Sequence, residues 1–303
     1  MARIYIKPTD RVFVLTGAGT SAESGIPTFR DTNGLWRNFR LEEVASPDAW
    51  QRDPQLVWDF YSMRRTVAAT AQPNPGHRAL AALQRTLDSR LFLCTQNVDN
   101  LHEQAGSCPL HMHGELFKSR CERCRVPFDD TNIYHEVPHC ACGGKIRPHI
   151  CWFGETPFGM DRALRTLEVC TVFIAIGTSG VVEPAASFVG QTKARTFYVG
   201  PEEPLNLASF DETFTGKAGD LLPTLFDVDV GWPTYLPNNL VTEVLWILFG
   251  RRAKILPNHG KRSSVVHCEG ERWRDCSSGS LLQPVHKPHA IRSGDARFAS
   301  RGN

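Results

Sequence analysis

The stretch VFVLTGAGTSAESGIPTFRD, Val12 to Asp31, constrains this chain more than any other, because an apolar, β-branched run breaks straight into a glycine-punctuated loop. Val12, Phe13, Val14 and Leu15 read as a short strand with no polar face, the pattern of a parallel strand covered on both sides. Gly17, Gly19 and Gly25 then supply backbone freedom, and the helix expected after them turns its free N–H groups and positive dipole end toward an anion. A hydride-transfer fingerprint fits poorly. The third glycine is missing from its place, and Glu42 and Glu43 lie in a polar segment with no strand before them. Thr20, Ser21, Glu23, Ser24, Thr28, Arg30 and Asp31 crowd the loop instead, more polar groups than a tight turn requires.

The strand-then-polar-loop pattern recurs. Arg90 to Thr95 is a second buried strand, with Gln96, Asn97, Asp99 and Asn100 just past its carboxyl end, where open α/β sheets hold their ligands. Thr171 to Ile176 is a third, running into Gly177, Thr178 and Ser179, and Arg195 to Val199 is a fourth. Ser46 before Pro47 and Asp53 before Pro54 predict two helix starts, the second helix reaching about Ala69. Further helices are expected from Pro75 to Leu87, from Pro184 to about Lys193 and from Gly219 to Phe226. Strands alternating with helices predict an α/β architecture, a doubly wound parallel sheet with right-handed crossovers.

Between these elements, Cys121 and Cys124 are spaced C-x2-C, and Cys140 and Cys142 are spaced C-x-C after a 15-residue gap. Two such knuckles suit one structural Zn²⁺, since four thiolates leave no open position for water. His139 is a substitute ligand, and reduced cysteines in a loop are the plainer alternative. Cys94, Cys151 and Cys170 sit in apolar runs and read as buried packing residues. His113, in HMHGEL, and His77, in PNPGH, are the histidines to weigh as catalytic. Tyr61 and Arg64, one helical turn apart, offer a phenol and guanidinium clamp for a carboxylate, or else a solvated helix face.

Charge excludes one class of partner. The net charge is +2, and residues 227–303 carry 11 Lys and Arg against 7 Asp and Glu, so the body of the chain is no nucleic-acid binder. The most apolar segment, Leu240 to Phe249, is short of a membrane span and contains Glu243, and the start MARIYIKPTDR lacks a signal-peptide core. A soluble, cytoplasmic protein is expected, with a mitochondrial or nuclear place open in a eukaryote. After Asp227 the periodicity fails and a poorly ordered tail is expected.

Taken together, GAGTSAESGIPTFRD, QNVDNLHE, HMHGELFKSRC, the four cysteines, PHICWFGE, GTSGVVEPA and GKAGDLLPTLF resemble, in order and spacing, the sirtuins, NAD-dependent protein-lysine deacylases. The resemblance covers Asp10 to Phe226. FYSMRR is similar to the bacterial and mitochondrial branch that removes succinyl, malonyl, glutaryl and often acetyl groups, with Tyr61 and Arg64 binding the acyl group. It implies a Rossmann-like part over residues 8–119 and 148–226, a zinc module over about 120–147 and an atypical tail over 227–303. NAD is implied as a consumed co-substrate, acylated-lysine proteins as substrates, and the working unit as a monomer. The resemblance makes His113 the general base on the ribose hydroxyls, with Asn97 beside it, Asp99 the grip on the nicotinamide carboxamide and Gln96 an orienting group. Gly17, Ala18, Gly19, Ser21, Glu23, Phe29, Arg30, Trp36, Gly177, Thr178, Ser179, Gly200 and Ala218 complete the implied cofactor set. Gly154, Glu155, Gly180 and Val181 are implied to sandwich the substrate peptide as an added strand. Two departures stand out: Gly200 occupies the place of the family's ribose-contacting asparagine, and the chain runs on from Phe226 to Asn303. A cut after Phe226 is expected to keep activity. Mono-ADP-ribosyl transfer and a weakly active NAD- and zinc-binding module are the alternatives.

Overall fold

A computed structural model describes residues 2–27, 35–36 and 39–231. Phe29, Arg30 and the segment Leu240 to Phe249 lie outside the described residues, and of Trp36 only the backbone is described, in the short strand Leu35–Trp36.

The central sheet has six strands, all parallel, in the spatial order Glu212–Thr215, Arg195–Gly200, Val172–Ile176, Val12–Thr16, Leu91–Thr95 and Leu110–His111. The predicted strands are present to within a residue. Because successive side chains point to opposite faces, each strand feeds two cores. Val12, Val14, Leu93, Ile174 and Val199 meet Leu80, Leu83 and Leu87 of the helix Pro75–Leu87 and Leu222 and Leu225 of the helix Ala218–Leu225. Phe13, Leu15, Phe173 and Ala175 meet Ala163 and Leu167 of the helix Met160–Val169, together with Phe188. Helices on both faces explain why the strands lack a polar side, and each fully buried Val, Leu, Ile or Phe contributes about 1.5–3 kcal/mol.

Strand order reverses between Val12–Thr16 and Val172–Ile176, which pair directly with Val12 opposite Val172. The two loops leaving this point touch: a Cβ on Gly17 would lie 2.7 Å from the Gly177 carbonyl oxygen, and one on Gly19 would lie 2.9 Å from the Gly177 Cα. Glycine is required there by close approach.

Several elements differ from expectation. The helix after the first loop is a single turn, Gly19–Ala22, ended by a bend at Gly25 with φ +83, so little dipole accumulates. The helix expected from Pro184 is instead a 3-10 turn, Ala185–Ser187, followed by the short helix Phe188–Gln191. The strand Ile4–Ile6 pairs in parallel with Phe226–Val228, so a cut after Phe226 would remove Asp227 and Val228, the partners of Tyr5 and Ile6.

The cysteine module is a three-stranded antiparallel sheet, Pro127–Asp129, Gly114–Cys121 and Ile146–Ile150, which begins and ends outside residues 120–147. Two helices, Pro47–Arg52 and Pro54–Ala68, pack on it. Each starts as predicted, with the Ser46 side chain accepting from the Ala49 N–H and Asp53 from the Leu56 N–H. Trp50, Trp58, Phe60 and Tyr61 from the helices share a core with Leu116, Ile146, Ile150 and Trp152. Among the described residues no helix is long and apolar enough to cross a membrane.

Candidate active site

Two polar residues of the first loop, Thr20 and Ser21, turn inward. Thr20 Oγ1 donates to the Ile176 carbonyl at 3.2 Å, and Asn97 Nδ2 donates to Ser21 Oγ at 2.9 Å, joining two strand ends. The Asn97 N–H is held by Thr95 Oγ1 at 3.0 Å, and Asn97 and Asp99 are both buried. Burial, only partly offset by the Leu101 N–H, holds the Asp99 carboxyl above the usual carboxylate range. Glu23 accepts from the Gly219 N–H at 2.8 Å, so its carboxylate fastens the loop to the helix that begins at Ala218.

His77 is structural. It is fully buried, its Nδ1 accepts the Asn74 N–H at 3.4 Å in a capping box, and burial lowers its pKa to about 4. His113 is different. Its Nδ1 lies 3.1 Å from the Gln96 carbonyl, which can only accept, so Nδ1 carries the proton and Nε2 keeps a free lone pair. Burial lowers its pKa, against the Gln96 hydrogen bond, and keeps the ring neutral and basic near pH 7. The next residue must be glycine: Gly114 has φ +89, and a Cβ there would run into the His149 carbonyl.

Tyr61 and Arg64 do not form a solvated face. Tyr61 is 1% exposed and accepts a hydrogen bond from Trp152 Nε1 at 3.1 Å. Arg64 hydrogen-bonds the same phenol, so the Tyr61 oxygen accepts from two donors. Burial raises the Tyr61 pKa and lowers that of Arg64, which Tyr61 and Asp99 partly restore. A small pocket is lined by Ile26, Arg64, Val67, Val98, Asp99 and Leu116. It sets a guanidinium and a carboxylate within one mostly apolar space.

At the expected peptide-binding positions Gly154 and Val181 are exposed, the latter 54%. Glu155 offers little but backbone, because its carboxylate pairs with Arg147 at 2.8 Å and accepts the Trp152 N–H at 2.9 Å. Thr178, Ser179 and Gly180 are half-buried, and Gly180, with φ +68, abuts Asn206. At Gly200 the Tyr198 hydroxyl covers the Cα; it lies 2.8 Å from the Glu202 carbonyl and 3.2 Å from that of Thr178. A side chain at residue 200 would collide with that phenol.

The four cysteine sulfurs lie within 4.8 Å of one another, and the Cys124–Cys142 and Cys121–Cys142 separations are 3.2 and 3.5 Å. Four thiolates at about 2.3 Å from Zn²⁺ stand roughly 3.8 Å apart, so the set fits the metal. The Arg123 and Cys124 N–H groups aim at Cys121 Sγ at 3.4 Å, the donors that a metal-bound thiolate would accept from. His139 stands outside the cluster in a bridge with Lys145. Cys94 and Cys170 are buried as expected, but Cys151 is only half-buried. Trp152 and His111 are the functional candidates that sequence reasoning passed over; both lie inside quoted motifs, PHICWFGE and HMHGE, and neither has a spacing that marks it.

A family model described as the Sir2 family matches residues 17–184. An NAD-dependent protein deacylase of Leishmania major is 48% identical over 228 residues, covering 71% of this chain and 94% of that protein. One from Caulobacter vibrioides is 47% identical over 223 residues, covering 70% and 94%. Among solved structures, a Sir2 homologue in complex with NAD superposes with a TM-score of 0.67 at 41% identity, covering 72% of this chain and 89% of that one. A match over more than half of the chain, together with relatives spanned almost end to end, shows that the chain belongs to the Sir2 family, the sirtuins.

Proposed function

We propose that this chain is an NAD-dependent protein-lysine deacylase whose acyl pocket favours acidic acyl groups: succinyl, malonyl and glutaryl over acetyl. The observation that carries the preference is Arg64, hydrogen-bonded to the buried Tyr61 and lining the pocket that Asp99 also lines. NAD, when bound, would supply the ADP-ribosyl group that carries the acyl group away, so that acyl-lysine, NAD and one water give free lysine, nicotinamide and O-acyl-ADP-ribose. The residues of this chain act around it. His113 Nε2, neutral and unprotonated, takes a proton from a ribose hydroxyl while Nδ1 stays anchored on Gln96. Asp99 and Asn97 bind polar groups at the buried end of the site, and Gly17, Gly19 and Gly177 let the two loops at the switch point pack backbone against backbone. Arg64, backed by the Tyr61 hydroxyl, receives the distal carboxylate.

The test offers matched succinyl- and acetyl-lysine peptides with NAD. A charge-assisted contact in a dry pocket is worth about 1.5–3 kcal/mol, so a preference of roughly tenfold to a hundredfold is expected, largely abolished by Arg64→Ala. A succinyl preference that survives Arg64→Ala overturns the specificity, and full turnover by His113→Ala overturns the mechanism.

A further inference from the structure

The motif HMHGE carries two histidines, and the role of His113 leaves His111 unassigned. His111 ends the edge strand Leu110–His111 and is 8% exposed. Its Nδ1 lies 2.8 Å from the Asn97 carbonyl oxygen, and its Nε2 lies 2.6 Å from Glu103 Oε1. Both partners only accept, so both ring nitrogens must donate, and a ring with two N–H groups is an imidazolium. Two residues further on, His113 grips the preceding carbonyl, that of Gln96. The pair therefore holds consecutive carbonyls of one loop, His111 charged and His113 neutral.

The surroundings agree. Facing His111 are Glu103 from the helix Leu101–Gln104, Asp99 from the loop, Glu115 from the strand Gly114–Cys121, and His102, itself kept neutral by burial. Burial works against a charge on His111, but Glu103, the Asn97 carbonyl and Glu115 outweigh it and raise its pKa above the ordinary value. Asn97 is already held at its N–H by Thr95 and at its side chain by Ser21, so His111 fixes its third polar group.

We propose that His111 is a positioning residue, a buried imidazolium that clips the Gln96–Asp99 loop to Glu103, and that losing its proton slackens the hold of this loop on NAD. The cofactor half of this proposal rests on the function proposed above. The sign follows from the raised pKa. The clip is complete below the ordinary histidine value near 6.5 and is lost as pH rises through the higher folded-state value.

Nitrogen-detected imidazole NMR on the full chain without NAD tests the clip. At pH 7 both ring nitrogens of His111 are expected to carry protons, against one for His113. In Glu103→Gln, His111 should lose its proton at least about one pH unit lower. In steady-state assays the KM for NAD should rise on the alkaline side, the rise should begin about one unit earlier in Glu103→Gln, and His111→Gln should remove the pH dependence. A single protonated nitrogen on His111 at pH 7, or a Glu103→Gln profile superimposed on the parent, overturns the proposal. Absence of NAD turnover by the unaltered chain overturns the cofactor half, while NMR still decides the clip.

Discussion

Two adjacent arginines should fail in opposite ways. Arg65 is 1% exposed and binds the zinc module to the helix Pro54–Ala68 through a set of contacts made by one guanidinium. Nε donates to the Leu116 carbonyl at 2.8 Å, Nη1 to the Asn132 carbonyl at 2.6 Å and to Asp130 at 3.3 Å, and Nη2 to Ser119 Oγ at 3.0 Å and the Lys118 carbonyl at 3.2 Å. Arg65→Met fills much of the volume but leaves the Asp130 carboxylate, whose side chain is 1% exposed, with hydrogen bonds from Ser119, Asn132 and Tyr134 and no cation, together with carbonyls that have lost their donors. Removing one partner of a buried ion pair costs about 3–5 kcal/mol, because the remaining charge is left without compensation. For a protein of this size 1 kcal/mol shifts Tm by about 2–4 °C, so calorimetry should record a fall of roughly 10 °C. Arg65→Met with Asp130→Asn should recover part of that loss, since no uncompensated charge remains and the amide oxygen can still accept from Asn132 and Tyr134. Arg64→Met should instead erase the acidic-acyl preference with a much smaller Tm change. An Arg65→Met protein melting within about 2 °C of the parent, or a double variant no better than the single, would refute the reasoning.

Trp152→Phe removes the N–H that Tyr61 accepts and frees the phenol to turn. A hydrogen bond of about 0.5–1.5 kcal/mol predicts a roughly twofold to tenfold loss of succinyl over acetyl preference, read as the ratio of kcat/KM values, with acetyl turnover nearly unchanged. Chelating zinc should release one metal per chain, measured with a chromogenic chelator, and should abolish succinyl turnover along with the cooperative melt. The reason is that Leu116, Ile146 and Ile150 of the module share a core with Tyr61.

Much of this was legible in the chain because the signals are local. Unbroken apolar runs marked the sheet's interior strands, proline after Ser46 and Asp53 marked helix starts, and paired cysteines marked the metal module. What periodicity could not supply was the identity of whatever covers a face. Tyr61 and Arg64 share a helix surface in the sequence, but the Trp152 that seals it comes from 91 positions away. Histidines look alike in a sequence, whereas the partners on each ring nitrogen separate His77, a helix cap, from His111 and His113. The strands Ile4–Ile6 and Phe226–Val228 are too short to show a period, and Glu212–Thr215 is an edge strand with mostly exposed side chains. Gly200 reads as a missing asparagine until Tyr198 is seen above it.

The pairing of Ile4–Ile6 with Phe226–Val228 brings the two extremities of the described fold together. Asp229 N–H bonds the Ile6 carbonyl, Gly231 packs on Pro8, and Arg90, just before the strand Leu91–Thr95, donates to the Lys7 and Pro8 carbonyls. This junction therefore lies at the amino-terminal rim of the sheet, opposite the carboxyl ends where Gly17, Asn97 and Thr178 gather. Topologically the fold is close to a closed ring. A linker doubling back over one three-residue strand, about 10 Å, would complete it, and new termini could open in a surface turn remote from the catalytic rim. Residue 231, where the described fold stops, therefore lies at the rim of the sheet away from Gly17, Asn97 and Thr178.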